Sequence, residues 1–253
     1  MKVLLLSFIT IILTSCSGQT PHVGRIGPER DIVLINIQNG DRAFIAKILS
    51  KIDSIKPKVV GINAYFKSAK EAKDDSLLFN ALNILKGDIL TYGTGVNGIE
   101  KHSIPLFTSA VDGEGFLKFE ETTGLVSRMT PVKQIDGKTH ESFALKIAKL
   151  WKPNLDNSYP HNKSLPIEYS RTLNSFLTIN GTDLIELPIT EFDIENLKNK
   201  IFLVGYIGPD NEDMYRTPLR FLNKDSIAQN QPDTYGLVII ANQIRTLLDK
   251  NSN

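Results

Sequence analysis

The residues able to do covalent or ligand chemistry are few and scattered. The only cysteine, Cys16, stands behind Leu13-Thr14-Ser15, and its thiol is the chain's strongest potential nucleophile. Glycines at the G-x-G-x-x-G spacing run through Gly93-Thr94-Gly95-Val96-Asn97-Gly98; that pattern cradles a pyrophosphate only where a helix opens at the turn. Ile99 to Pro105 has no helical period, so the spacing reads as a plain turn. Asp210-Asn211-Glu212-Asp213 gathers the oxygens a hard cation needs, but without EF-hand spacing, and a solvated acidic loop is the plainer reading. His22, His102, His140 and His161 lie far apart and form neither H-x-x-x-H nor H-E-x-x-H. There is no G-x-S-x-G elbow either, so hydrolysis lacks a visible nucleophile. The chain reads as non-catalytic, with no metal and no cofactor.

Cys16 acquires meaning from what precedes it. Lys2, an apolar run from Val3 to Ile12 and small residues before the cysteine have the layout of a secretory signal peptide. The run is shorter than the ~20 residues a spanning helix needs. Leu-Thr-Ser-Cys resembles the bacterial lipoprotein signal box, which implies cleavage of residues 1–15 and acylation of Cys16. A plain signal peptide or an uncleaved anchor are the alternatives. A lone cysteine in an exported protein has no disulfide partner, and lipid attachment accounts for it. At ~0.8 kcal/mol per buried methylene, two or three acyl chains would hold the protein on a membrane. Residues 16–30, with Pro21, Gly24, Gly27 and Pro28, read as the tether, and 31–253 as the domain it carries.

A formal charge of +1 over 253 residues gives no footprint for nucleic acid. From Asp31 onward, strand and helix signals alternate. Ile32 to Ile37 is an almost wholly apolar run, as expected of an interior strand covered on both faces. Phe44, Ile45, Ile48, Leu49 and Ile52 recur at helical spacing before Pro57. Val59 to Ile62 predicts a second strand, Leu77 to Leu85 a second helix and Ile89 to Tyr92 a third strand. Helical crossovers between the three imply a parallel sheet.

Gly115 to Phe119 and Leu125 to Met129 read as a hairpin around Gly124. Phe143 to Trp151 predicts a helix, Ile167 to Tyr169 and Phe176 to Ile179 strands, Lys200 to Tyr206 a buried strand and Leu237 to Leu248 the last helix. The expected fold is α/β: a mostly parallel central sheet, helices on both faces and an added β-hairpin.

Taken together, Asp31 to Leu248 resembles the CHASE2 extracellular sensory domain. The carriers are the first strand with Arg42 after it, Pro57-Lys58-Val59-Val60-Gly61-Ile62-Asn63-Ala64-Tyr65-Phe66, and Gly124 with Arg128 in the position of that family's glycine–arginine hairpin. Later come Lys200-Ile201-Phe202-Leu203-Val204-Gly205, Asp213-Met214-Tyr215-Arg216-Thr217-Pro218-Leu219, and Tyr235-Gly236 to Ala241-Asn242. The resemblance implies a ligand-sensing module outside the cytoplasm, coupled through transmembrane helices to a kinase or nucleotide cyclase. It also makes Asp213 a structural or ligand-facing residue. The family often has Asp where Asn63 stands, and an amide loses the charge. No apolar run after the last predicted helix could span a membrane, so a separate transmembrane kinase or cyclase is the expected partner.

In open parallel sheets ligands lie beyond the carboxyl ends of the strands. Candidate ligand residues there are Asn36, Arg42, Asn63, Phe66, Gly205, Tyr206, Asp213, Arg216 and Thr217. The expectation is a lipid-anchored binding module for a small molecule, in the bacterial envelope on the periplasmic face of the outer membrane. An envelope scaffold that binds through its surface is the alternative.

Overall fold

The computed structural model describes residues 23–94, 100–155, 158–210, 212–222 and 231–250. Cys16 and the leader before it lie outside these residues. Strand β1 (Ile32–Asn36) leads to α1 (Arg42–Ile55), opened by the Asp41 carboxylate accepting from the Phe44 amide at 2.8 Å and ended at left-handed Lys56 ahead of Pro57. Then follow β2 (Val59–Ile62), α2 (Ala72–Ile84), β3 (Asp88–Thr94), β4 (Glu100–Lys101), α3 (Pro105–Thr108) and β5 (Gly113–Leu117). Two hairpins come next, β6 (Glu120–Thr122) with β7 (Leu125–Met129), and β8 (Val132–Ile135) with β9 (Lys138–Glu141). The chain continues through α4 (Phe143–Trp151), β10 (Leu165–Pro166), β11 (Leu177–Asn180), α5 (Gly181–Glu186) and α6 (Ile194–Leu197). It ends with β12 (Ile201–Gly205), β13 (Met214–Tyr215), β14 (Thr234–Tyr235) and α7 (Gly236–Asp249).

The central sheet runs β11-β1-β12-β2-β3, all parallel, and β3 also takes β5 parallel and β4 antiparallel. Because side chains alternate along a strand, each interior strand feeds two cores. Ile32 and Leu34 join Ile201, Leu203 and Val59 under α4 and α7, while Val33 and Ile35 join Phe202, Val204 and Val60 under α1 and α2. That double burial is why these runs are apolar throughout. Fully burying each such side chain contributes about 1.5–3 kcal/mol.

Three expectations need correction. Gly115 to Phe119 is not a hairpin arm: Gly113–Leu117 joins the central sheet beside β3, and the partner of β7 is the shorter Glu120–Thr122. The strand expected at Ile167 to Tyr169 is displaced to Leu165–Pro166, with only an isolated bridge from Val23 to Tyr169. Residues 23–30, read as tether, run along the body, with the Gly24 amide donating to the Tyr169 carbonyl at 2.9 Å and the Glu29 amide to the Ser175 carbonyl at 2.8 Å. The short elements between β11 and β12 carry too few periodic positions to be seen in sequence. Among the described residues no helix is long and apolar enough to cross a membrane.

Candidate functional site

At the carboxyl ends of β1, β2 and β12 the structure does bring several expected residues together. The Asn36 side-chain oxygen accepts from the Gln38 and Ile207 amides, both at 2.9 Å, and its Nδ2 donates to Asn180 Oδ1 at 3.3 Å. The Asn63 amide donates to the Val204 carbonyl at 2.8 Å, and its side chain packs against Gly205. These amides knit three strand ends into one surface.

Arg42 serves the fold instead of facing that surface. Its guanidinium is buried, pairs with Asp75, donates to the Ser68 carbonyl at 2.5 Å and lies over the rings of Phe66 and Phe107, 5.6 and 5.0 Å from their centroids. Burial works against the Asp75 charge, but the Lys70 amide and the Arg42 guanidinium overcome it and hold its pKa below the usual value. Phe66 is likewise core, tilted against Phe107 at 5.1 Å.

The loop after β12 folds onto the start of α7. Tyr206 donates to the Asp210 carboxylate, and the Tyr235 hydroxyl to the Gly208 carbonyl at 2.5 Å. Asp213 sits at φ +57°, its carbonyl accepting from the Gly236 amide at 2.8 Å and its carboxylate from the Tyr215 hydroxyl at 3.1 Å. A Cβ on residue 236 would come within 2.7 Å of that carboxylate and force it to shift. Burial pushes the Asp213 pKa up to about 6. Arg216 reaches the hairpin: its guanidinium lies over Gly124, at φ +75° in the β6–β7 turn, and its carbonyl accepts from Val126 at 2.8 Å.

Thr217 is fully buried, with its amide and hydroxyl donating to Asp233 at 2.9 and 2.6 Å and its hydroxyl accepting from the Leu219 amide at 3.2 Å. Thr217→Val is expected to lower stability by about 1–3 kcal/mol, since it strips partners from a part-buried carboxylate and a buried amide; a urea unfolding midpoint equal to wild type would contradict this. Asn242 plays a similar part, accepting from the Ser170 and Arg171 amides at 3.0 Å each and donating to the Arg171 carbonyl at 2.9 Å. A cleft of about 320 Å³ opens beside this network, lined by Thr172, Asn174, Leu219, Asp233, Thr234 and Tyr235 among others.

The structure also assembles a cluster that the sequence reading missed. His102 follows β4, and its Nε2 lies 2.9 Å from Glu100 Oε2 while its Nδ1 lies 2.8 Å from Glu114 Oε2 on β5. Tyr92 of β3 stacks on the His102 ring at 4.2 Å. His140 of β9 brings its Nδ1 to 2.8 Å from both Glu100 Oε1 and the Tyr92 hydroxyl. Burial opposes charge on His102, yet the hydrogen bonds to Glu100 and Glu114 outweigh it and raise its pKa above 6.5. Burial, and then Glu100 and Glu114, push the Tyr92 phenol up. The faint sequence signal was Glu100 two residues before His102, a spacing that puts both on one face of an extended chain. Their partners come from strands 10 to 40 residues away.

Around the glycine-rich stretch β3 runs on to Thr94 and β4 returns antiparallel, pairing Thr94 with Glu100 and Gly93 with Lys101. Gly95 to Gly98 lie outside the described residues, as does Asn211. Among the described residues no group of three or more His, Cys, Asp and Glu side chains is arranged to hold a metal ion.

No curated protein and no solved structure matches the chain. A family model described as the CHASE2 domain does match, over residues 29–253, which takes in the central sheet, both hairpins and α7. The chain therefore belongs to the CHASE2 family of extracellular sensory domains.

Proposed function

We propose that the protein is a non-catalytic sensory module, tethered outside the cytoplasm through lipid on Cys16. It binds a small polar molecule and passes its state to a separate transmembrane kinase or cyclase. Family membership across residues 29–253 is the observation that carries this reading. The ligand surface is the carboxyl edge of the sheet, where Asn36, Asn63, Gly205 and Tyr206 meet and the segment after β12 folds back onto the start of α7. Asn63, Tyr206 and Arg216 are partly exposed there. Signalling requires that the partner distinguish bound from free forms, and a loop anchored on α7 through Asp213 and Gly236 offers such a coupling. The periplasmic face of the outer membrane is the proposed location.

A second reading, an envelope scaffold, is favoured by one observation: Arg42, Phe66, Asp213 and Thr217 are all engaged by the fold itself. A thermal-shift screen against small polar metabolites separates the two. A ligand at a hundredfold excess over Kd raises stability by about 2.7 kcal/mol, and Tyr206→Ala is expected to abolish that shift. A flat screen, with stable capture of one envelope protein, would favour the scaffold. Mass spectrometry of the native N-terminus tests the anchor, with an acylated cysteine as the expected first residue.

A further inference from the structure

We propose that His102 is a proton-operated latch, tying β4 to β5 across β3 at the end of the central sheet while its ring carries two protons and releasing it when one is lost. The geometry requires the doubly protonated ring. Both nitrogens face carboxylate oxygens, Glu100 Oε2 at 2.9 Å and Glu114 Oε2 at 2.8 Å, and a carboxylate accepts but cannot donate. A neutral imidazole has one N–H, so it satisfies one carboxylate and turns a lone pair on the other.

The two carboxylates belong to different strands, so the ring is a cross-link. Glu100 lies on β4 and Glu114 on β5, and neither strand pairs with the other in the sheet, since both are held by β3. β4 is two residues long, with two register pairs to β3, which makes the imidazolium a large share of what holds it.

Charged and titratable groups around His102 come from each neighbouring strand. Glu100 is on its own segment, Glu114 is on β5, and Tyr92 of β3 covers the ring. His140 of β9 meets Glu100 and Tyr92 from the far side. The nearest lysine of β8, Lys133, sits instead over the Phe116 ring at 4.8 Å and 3.9 Å from Glu120. Glu114 Oε1 is buried with no hydrogen-bond partner among the described residues, so deprotonation leaves that carboxylate without its ring donor.

The direction follows from linkage. A histidine whose pKa in the closed form is raised above its open-form value stabilises the closed form fully below about 6.5, and the contribution is lost as pH rises through the raised value. The latch is closed below about 6.5 and opens as pH rises through the raised value. It stands on this geometry alone and is independent of any small-molecule ligand.

The test is amide hydrogen exchange of β4 against pH, corrected for intrinsic base catalysis, with NMR titration of the His102 ring on the same protein. We expect the ring to titrate above 6.5, and β4 protection to fall by up to about tenfold per pH unit between 6.5 and that midpoint, the slope for one proton, and to level off above it, while β1 and β12 hold theirs. Glu114→Gln should lower the midpoint and shift the loss of protection with it. His102→Gln should remove the pH dependence. A ring titrating at or below 6.5, or β4 protection that tracks β1 across the range, would overturn the latch. If His102→Gln fails to fold, the Glu114→Gln shift decides.

Discussion

Glu29→Ala is expected to cost about 3–5 kcal/mol of folding stability, because it breaks a buried ion cluster from one side. The Glu29 side chain is fully buried. Its Oε1 accepts from the Arg30 and Asp31 amides at 3.0 and 2.8 Å, and its Oε2 accepts from Arg171 Nε at 3.2 Å and lies 3.4 Å from Arg245 Nε. Removing the carboxylate leaves Arg171 without this counter-charge and Arg245 with Asp31, which it grips through both terminal nitrogens at 3.1 and 2.9 Å. Against a total of 5–15 kcal/mol for a typical domain, the loss is severe. Glu29→Gln keeps the acceptor and should fall between wild type and alanine. Urea unfolding measures both; a loss under ~1 kcal/mol for the alanine variant, the level of a surface pair, would show that the cluster is solvated and weak.

The second large effect is a pH dependence centred on Asp88. This residue opens β3 with no exposed surface, its Oδ1 accepting from the Asp112 amide at 3.2 Å and its Oδ2 buried without a partner among the described residues. Burial raises its pKa to about 7, and the neighbouring Asp112 charge adds to the rise. A carboxyl that holds its proton more tightly folded than unfolded stabilises the fold below the unfolded value of 3.8, and that contribution is lost as pH rises through about 7. The full swing is up to about 4 kcal/mol. Asp88→Asn keeps the Oδ1 acceptor and removes the charge, so the difference between wild type and variant should grow in the variant's favour across this window. The gain is trimmed because the new amide nitrogen still meets no acceptor. Denaturation curves at several pH values check it, and a difference that stays constant with pH would refute the assignment.

Much of the fold is legible in the chain because its signals are local. Ile32 to Ile37, Val59 to Ile62 and Lys200 to Tyr206 read as buried strands, since a strand covered on both faces has no position where water selects a polar residue. Phe44 to Ile52 and Leu237 to Leu248 read as helices from their spacing alone. Gly115 to Phe119 misled because a short strand with one polar position fits an edge hairpin and a parallel partner of β3 equally well.

The site was less legible, for a reason that Arg42 and His102 share. A polar side chain carries no period that names its partner. Arg42 finds Asp75 across 33 residues and Asn36 finds Ile207 across 171, so whether either faces a ligand or completes the fold depends on where the crossovers return. Glu29, lying among the prolines and glycines of 17–30, had the same fate.

What the sequence determined by itself is the layered α/β architecture and the order of its strands and helices along the chain, because hydrophobic periodicity is written within a dozen residues. The tertiary structure alone decided which polar groups meet: that Glu29 locks the opening segment to α7, that Arg42 is spent on Asp75, and that Glu100, His102, Glu114 and His140 share one corner. Such contacts are set by strand order and register, which arise only when both faces of the sheet are covered.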